Sequence, residues 1–408
     1  MCDNRSDLTT HRFFLWGGLK EMEALDRAKA LSQDRGKRAR QLAEEGRRVI
    51  GYICIFPPVE LITAAGLVPF RITGSPDPVT EADTYLEPLM CPFVRSCFDL
   101  AIKKEFEFTS GMIWPHSCDN IQKTFDIWKH YVPSSFFHYL DVPHMTFPSS
   151  FEFFTEELNN LKAHLEEYTG REITEEKLLE SIQAHNENRT LLRELSGLRR
   201  HAPPLLSGTE MMEVVRAVTC IPVDESNDLL RRIIDQVKSR RQGRPAERKP
   251  RLLIYGSELD HPAPIQLLED AGADVVVDDT CMGTKSYLTD VATAGNLLEN
   301  LAQRYLGSIT CPRTFRFSDG TRQQDLDGRF GYIAELVRQY EVDGAILYVL
   351  MFCDTFEFDV PDVRDYLQGS GIPTLHIEDD YQLSGLGGMR TRIEAFLEMI
   401  GTGHDTDG

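Results

Sequence analysis

Val49-Ile50-Gly51-Tyr52-Ile53-Cys54-Ile55 is an unbroken apolar run, and Phe56 leads directly into Pro57-Pro58-Val59-Glu60. A short apolar run bounded by turn formers reads as a strand buried on both faces. Proline is tolerated in a first helical turn and the helix dipole favours glutamate there, so a helix opens at once. Ala64-Ala65-Gly66 closes that helix, and Leu67-Val68-Pro69-Phe70-Arg71-Ile72 is a second short strand. Strand, helix and strand in this order begin a parallel sheet covered by helices.

The same alternation extends from Arg48 to about Met145 and resumes beyond residue 249. There Arg251-Leu252-Leu253-Ile254-Tyr255-Gly256, Ala273-Asp274-Val275-Val276-Val277-Asp278, Gly344-Ala345-Ile346-Leu347-Tyr348-Val349-Leu350 and Thr374-Leu375-His376-Ile377 read as strands. Helices are expected over 262–271 and 388–400. Residues 150–248 are charged and helical in pattern, and the stretch 239–248 has the look of an exposed linker. The expected fold is α/β, with two doubly wound parallel-sheet (Rossmann-like) domains joined by a helical segment. Its divisions are a helical segment over 1–47, a first α/β domain over 48–150, helices and linker over 151–248, and a second α/β domain over 249–408. Ligands are then expected at strand C-ends. The basic run Arg35-Gly36-Lys37-Arg38-Ala39-Arg40 is expected to be a solvated helix face.

Composition bounds the function. Among 408 residues, 44 Lys+Arg against 64 Asp+Glu leave a net charge of −20, which disfavours nucleic acid or an anionic membrane as partner. No apolar run reaches the roughly 18 residues of a membrane span. Met1-Cys2-Asp3-Asn4-Arg5-Ser6-Asp7 lacks the features of a secretory signal, so a cytoplasmic protein is expected. Nine cysteines in a reducing compartment argue against a disulfide framework. None forms a CxxC pair, which excludes a compact zinc ribbon, so any metal site must gather thiols distant in sequence.

Cysteines recur at strand ends: Cys54, Cys91, Cys118, Cys281 and Cys353. Taken singly, each is a small buried hydrophobe; together, at equivalent strand ends, they converge on one cleft. Aspartate follows the thiol in Cys118-Asp119 and Cys353-Asp354, where it suits a helix N-cap that would aim N–H groups at a thiolate. Cys281-Met282-Gly283-Thr284-Lys285-Ser286 has lost the Gly-Lys-Ser/Thr order of a phosphate loop, and Gly385-Leu386-Gly387-Gly388 reads as a turn opening the last helix.

Gly51-Tyr52-Ile53-Cys54, Pro58-Val59-Glu60-Leu61-Ile62, Cys91-Pro92-Phe93-Val94-Arg95-Ser96, His116-Ser117-Cys118-Asp119, Asp278-Asp279-Thr280-Cys281-Met282-Gly283, Phe352-Cys353-Asp354 and Thr391-Arg392-Ile393-Glu394-Ala395-Phe396-Leu397-Glu398 form an ordered set. It resembles the 2-hydroxyacyl-CoA dehydratase family, which includes the cluster-bearing subunits of ATP-dependent benzoyl-CoA reductase. The resemblance covers about 51–400. It implies a [4Fe–4S] cluster held by Cys91, Cys118 and Cys353 with the fourth iron open, and an acyl-CoA thioester as substrate. One electron added to the thioester carbonyl gives a ketyl radical anion that a Lewis-acidic iron stabilises. It further implies a related second subunit and a separate iron–sulfur ATPase activator, so that ATP is used on another chain.

Within that resemblance the reading is a benzoyl-CoA reductase type subunit. The alternatives are an (R)-2-hydroxyacyl-CoA dehydratase subunit, a double-cubane reductase in which Cys281 and Cys311 supply further ligands, and a non-catalytic electron relay. Cys97, Cys220 and Cys2 lie outside the ligand set. Glu60, which opens a helix just past a strand, and His116, two residues before Cys118, are the acid–base candidates. Dipole complementation for Glu60 and a satisfied structural role for His116 are the plainer alternatives.

Overall fold

The apolar runs form two sheets, each of four parallel strands. β1 (Val49–Tyr52), β2 (Val68–Arg71), β3 (Thr109–Pro115) and β4 (Phe137–Leu140) lie in the order β2-β1-β3-β4. β5 (Arg251–Gly256), β6 (Asp274–Asp279), β7 (Gly344–Leu350) and β8 (Thr374–Asp379) repeat that topology as β6-β5-β7-β8. The computed structural model describes residues 23–240, 248–316, 318–382 and 385–402. Every residue of β1, β2, β5 and β7 is buried, which explains why these runs show no polar alternation. In register, Tyr52 of β1 pairs with Ile113 of β3, and Tyr255 of β5 with Leu347 of β7. The winding of each sheet reverses between its first and third strands, so each has a switch point there.

The helical stretch expected between the sheets comprises Pro148–Thr169, Glu175–Gly197, Gly208–Val218 and Val223–Lys238. It is part of the body of the protein. Met211 and Val215 share one core with Val68 and Phe70 of β2 and with Leu252 and Val275 of the second sheet. Gly208 lets its helix begin hard against β6: a Cβ there would stand 2.7 Å from Val275 Cβ and 2.9 Å from the Val275 carbonyl oxygen.

Some expectations change. Arg35 is buried, donating to the Arg71 carbonyl at 2.6 Å and to Thr219 Oγ1 at 3.2 Å. The solvated-face reading therefore fails at that residue, because the helix Gly36–Glu44 begins against the end of β2. Arg38 and Arg40 do lie toward the surface, paired with Glu225 and Asp34, each at 2.7 Å. Arg240 belongs to the folded body through bonds to the Leu205 carbonyl at 2.8 Å and Glu210 at 2.7 Å, whereas 241–247 of the expected linker lie outside the described residues. So do 1–22 of the N-terminal segment, including Cys2. Gly387 and Gly388 fall inside the last helix, Leu386–Thr402, rather than in a turn before it. Among the described residues no helix is long and apolar enough to cross a membrane.

Candidate functional site

Cysteines stand at both switch points. The chain leaves β1 through Cys54 at φ +64° and leaves β7 through Phe352 at φ +61°, immediately before Cys353. Left-handed backbone at a non-glycine residue costs about 1–3 kcal/mol and persists where surrounding structure enforces it. Cys118 follows β3.

Cys91, Cys118 and Cys353 are each the N-cap of a helix: Pro92–Ile102, Asp119–Tyr131 and Asp354–Glu357. The expected caps, Asp119 and Asp354, instead occupy the first helical position. Cys91 is buried, and Cys118 and Cys353 are half-buried. Apolar surroundings push the thiols up, to about 11 at Cys91 and about 12 at Cys118, and well above the ordinary value at Cys353. No sulfur completes a cap hydrogen bond. The amides of Val94 and Phe93 nevertheless favour the thiolate at Cys91, as do those of Ile121 and Asn120 at Cys118 and that of Phe356 at Cys353. A thiolate at Cys353 is disfavoured by thiolates at Cys91, Cys118 and Cys311, and one at Cys118 by those at Cys91 and Cys54, so Cys91, Cys118 and Cys353 share one electrostatic neighbourhood that reaches the other two.

Asn120 fastens the three segments. Its Oδ1 accepts the Cys91 N–H at 3.2 Å, and its Nδ2 donates to the Phe352 carbonyl at 3.5 Å. An aromatic floor packs the helices of Cys91 and Cys118 together, with Phe98 5.9 Å and Trp114 5.1 Å from Trp128 between ring centroids. Among the described residues, no three His, Cys, Asp or Glu side chains close around a single metal ion. A four-iron cubane is larger than one ion and its ligands stand further apart. Three thiols on separate helix caps, in an apolar shell lined with amides, fit that group.

A second set of thiols lies alongside. Cys281 feels the charges of Cys54 and Cys311, and Cys54 in turn acts on Cys118. Cys97 is fully buried in the helix after Cys91, and Cys220 donates its S–H to the Ala217 carbonyl at 3.1 Å. Lys285 of the loop that resembles a phosphate loop is buried, 3.2 Å from Asp279 and 5.0 Å from the ring centre of Phe356.

His116 Nδ1 donates to Asp141 Oδ1 at 2.9 Å, and its Nε2 has no hydrogen-bond partner among the described residues. That pairing fixes the tautomer with Nε2 as the free nitrogen. Arg313 holds this corner together, donating to the carbonyls of His116 at 3.1 Å and of Val142 and Pro143 at 2.8 Å each.

Glu60 is placed differently. It is 0% exposed, with Arg189 Nη1 donating to Oε1 at 2.8 Å and the Tyr305 hydroxyl donating to Oε2 at 2.7 Å. Burial alone would raise its pKa; Arg189, His185, Arg304 and the Tyr305 hydroxyl outweigh burial and hold it at about 2. Both oxygens are engaged and the group is ionised near neutrality, so it has no proton to give there.

A family model described as "2-hydroxyglutaryl-CoA dehydratase, D-component" matches residues 54–400. The chain belongs to that dehydratase D-component family. Within the family it is 30% identical to a benzoyl-CoA reductase subunit of Thauera aromatica, over 88% of this chain and 92% of the relative. It is 26% identical to the (R)-phenyllactyl-CoA dehydratase beta subunit of Clostridium sporogenes, over 88% and 94%. It is 24% identical to the beta subunit of (R)-2-hydroxyglutaryl-CoA dehydratase of Acidaminococcus fermentans, over 87% and 93%. Subunits of dehydratases and of a reductase thus both stand among the relatives of this chain.

Several residues that shape the site of this family member carry no motif. Asn120 lies two places after Cys118, within reach of a reading that looks one turn beyond a helix cap. Asp141, Arg189, Arg304 and Arg313 are isolated charges. Asp141 and Arg189 meet partners 25 and 129 positions away, Arg304 and Arg313 meet backbone carbonyls, and only the fold brings them in.

Proposed function

We propose that this chain is the iron–sulfur subunit of an ATP-dependent radical acyl-CoA enzyme, of benzoyl-CoA reductase type, with Cys91, Cys118 and Cys353 as ligands of a [4Fe–4S] cluster. The observation carrying this reading is that three cysteine N-caps, drawn from both sheets, share one neighbourhood and are tied by Asn120. When bound by three thiolates, such a cluster supplies low-potential electrons and an open iron for the carbonyl oxygen of an acyl-CoA thioester. The chain's own residues then orient and protonate. His116, its tautomer fixed by Asp141, offers Nε2 for proton transfer. Glu60 acts as a positioning residue that sets Arg189 and Tyr305.

A related second subunit covering the thiol face is supported by exposed apolar residues beside the ligands. Leu89, 73% exposed, precedes Cys91 by two residues, and Phe358, 84% exposed, follows Cys353 by five. The relatives' own names, which describe subunits, support it as well. Electrons come, in this proposal, from a separate iron–sulfur ATPase activator in the cytoplasm.

The second reading is an (R)-2-hydroxyacyl-CoA dehydratase subunit, favoured by the dehydratase relatives and the family description. Anaerobic reconstitution with iron, partner subunit, activator and ATP, followed by a panel of acyl-CoA thioesters, decides between them. Ring reduction of benzoyl-CoA supports the reductase. Water loss from a 2-hydroxyacyl-CoA supports the dehydratase. A complex that holds iron and turns over neither class overturns both.

A further inference from the structure

A cavity of about 100 Å³ opens between the ends of β1 and β2, the helix Glu175–Gly197 and the turn Gln303–Ser308. No cysteine lines it. Its wall includes Tyr52, Arg71, Asn188, Arg189, Arg304 and Tyr305. Three of these are buried arginines, and their charges are not equally met. Arg71 is clamped by Glu258, both contacts at 3.1 Å, and Arg189 by Glu60 at 2.8 Å. Arg304 has no carboxylate partner among the described residues. Its Nη2 donates to the Ser286 carbonyl at 2.6 Å and its Nε to the Thr289 carbonyl at 3.4 Å, leaving Nη1 unbonded. Asp290 lies 3.6 Å from Arg189 and is taken by Arg193 at 2.7 Å. Arg189 Nε and Arg71 Nε also lack hydrogen bonds.

Among the described residues Arg304 is therefore the one buried guanidinium of this wall with no carboxylate hydrogen-bonded to it, its charge met only at longer range by Glu60 and Asp290. Burial and Arg189 both disfavour the charge of Arg304, and a buried cation with no hydrogen-bonded counterion is costly. A guanidinium fork matches the geometry of a carboxylate. The volume suits a few heavy atoms, since one water needs about 10–15 Å³, and it is too small for a nucleotide.

We propose that this cavity is a binding site for a small monoanionic oxyanion of carboxylate type, held between Arg304 and Arg189. The inference does not depend on the cluster or on turnover. It is tested on the full chain by calorimetric titration and thermal unfolding with sodium acetate, sodium bicarbonate and sodium phosphate, each against sodium chloride at matched ionic strength. The expected result is one saturable site for acetate or bicarbonate. Acetate and bicarbonate distinguish an organic acid from dissolved carbonate as its source. Arg304→Gln should weaken binding at least tenfold, and Arg304→Lys, which keeps the charge but loses the fork, by a smaller factor. Responses no larger than chloride, tighter binding of phosphate, or wild-type affinity in Arg304→Gln would each overturn the proposal. If Arg304→Gln does not fold, Arg304→Lys decides, and unchanged affinity there overturns it.

Discussion

The side-chain oxygen of Asn120 accepts the backbone N–H of Cys91 at 3.2 Å, so the loop bearing one thiol is fastened to the helix bearing another. The same side chain donates to the carbonyl preceding Cys353. Partners that orient metal ligands from behind typically change metal affinity by about 10–100-fold when removed. Asn120→Ala should therefore bind iron that much more weakly, read as faster loss to a chelator under anaerobic conditions. Asn120→Asp keeps the acceptor for Cys91 and should lose less. Identical chelation rates in wild type and Asn120→Ala would remove Asn120 from the site.

The ligand assignment has its own test. Anaerobically purified protein should carry about four irons per chain, the content of one [4Fe–4S] cluster. Cys91→Ala, Cys118→Ala and Cys353→Ala should each lose most of it. Cys97→Ala and Cys220→Ala should retain it, because Cys97 is wholly buried in the core side of the helix Pro92–Ile102 and Cys220 is bonded to the Ala217 carbonyl. Full iron in Cys118→Ala sinks the assignment. Loss in Cys281→Ala or Cys311→Ala as well would enlarge the ligand set toward the neighbouring thiols.

β1, β2, β5 and β7 were legible because their residues are buried on both faces, leaving apolar runs such as 252–255 with no competing periodicity, whereas the half-buried β4 carried no such run. The thiols after β1, β3 and β7 were legible because doubly wound sheets expose their switch points to ligands, whereas the strand expected before Cys91 is a run of turns. Arg35 was misread because local charge density says nothing about a carbonyl at Arg71 waiting to be satisfied. Glu60 was legible as the start of a helix. Its partners Arg189 and Tyr305, 129 and 245 positions away, belong to a fact that only tertiary structure holds.

His116 and Asp141 form a pair in which the carboxylate leaves Nε2 available. If Nε2 moves a proton, His116→Asn should lower kcat by roughly 10²–10⁴-fold, the usual worth of general acid–base catalysis. Iron content and KM should change little. Asp141→Asn, which acts only through the ring, should lower kcat by a smaller factor. A kcat near wild type in an iron-replete His116→Asn complex would leave His116 with a structural role.

Glu60 and Arg189 offer a pH test with a definite sign. The folded pKa of Glu60, about 2, lies below the ordinary 4.5. The stability it contributes is therefore present above about pH 4.5 and is lost as pH falls toward 2. Glu60→Gln leaves Arg189 buried with no hydrogen-bonded carboxylate, only Asp290 at 3.6 Å, which should cost up to about 3–5 kcal/mol near neutrality. Dipole complementation alone would cost only about 0.3–1 kcal/mol. Below pH 4.5 the difference between wild type and variant should shrink by about 1.4 kcal/mol per pH unit as the wild-type carboxyl gains its proton. Urea unfolding of both proteins in steps from pH 7 downward measures that difference. A gap that stays constant through the acid range would mean that Glu60 is not held ionised by Arg189. Turnover separates positioning from proton transfer: a folded, iron-replete Glu60→Gln complex with unchanged KM and kcat reduced by roughly 10²–10⁴-fold would make Glu60 the proton carrier after all.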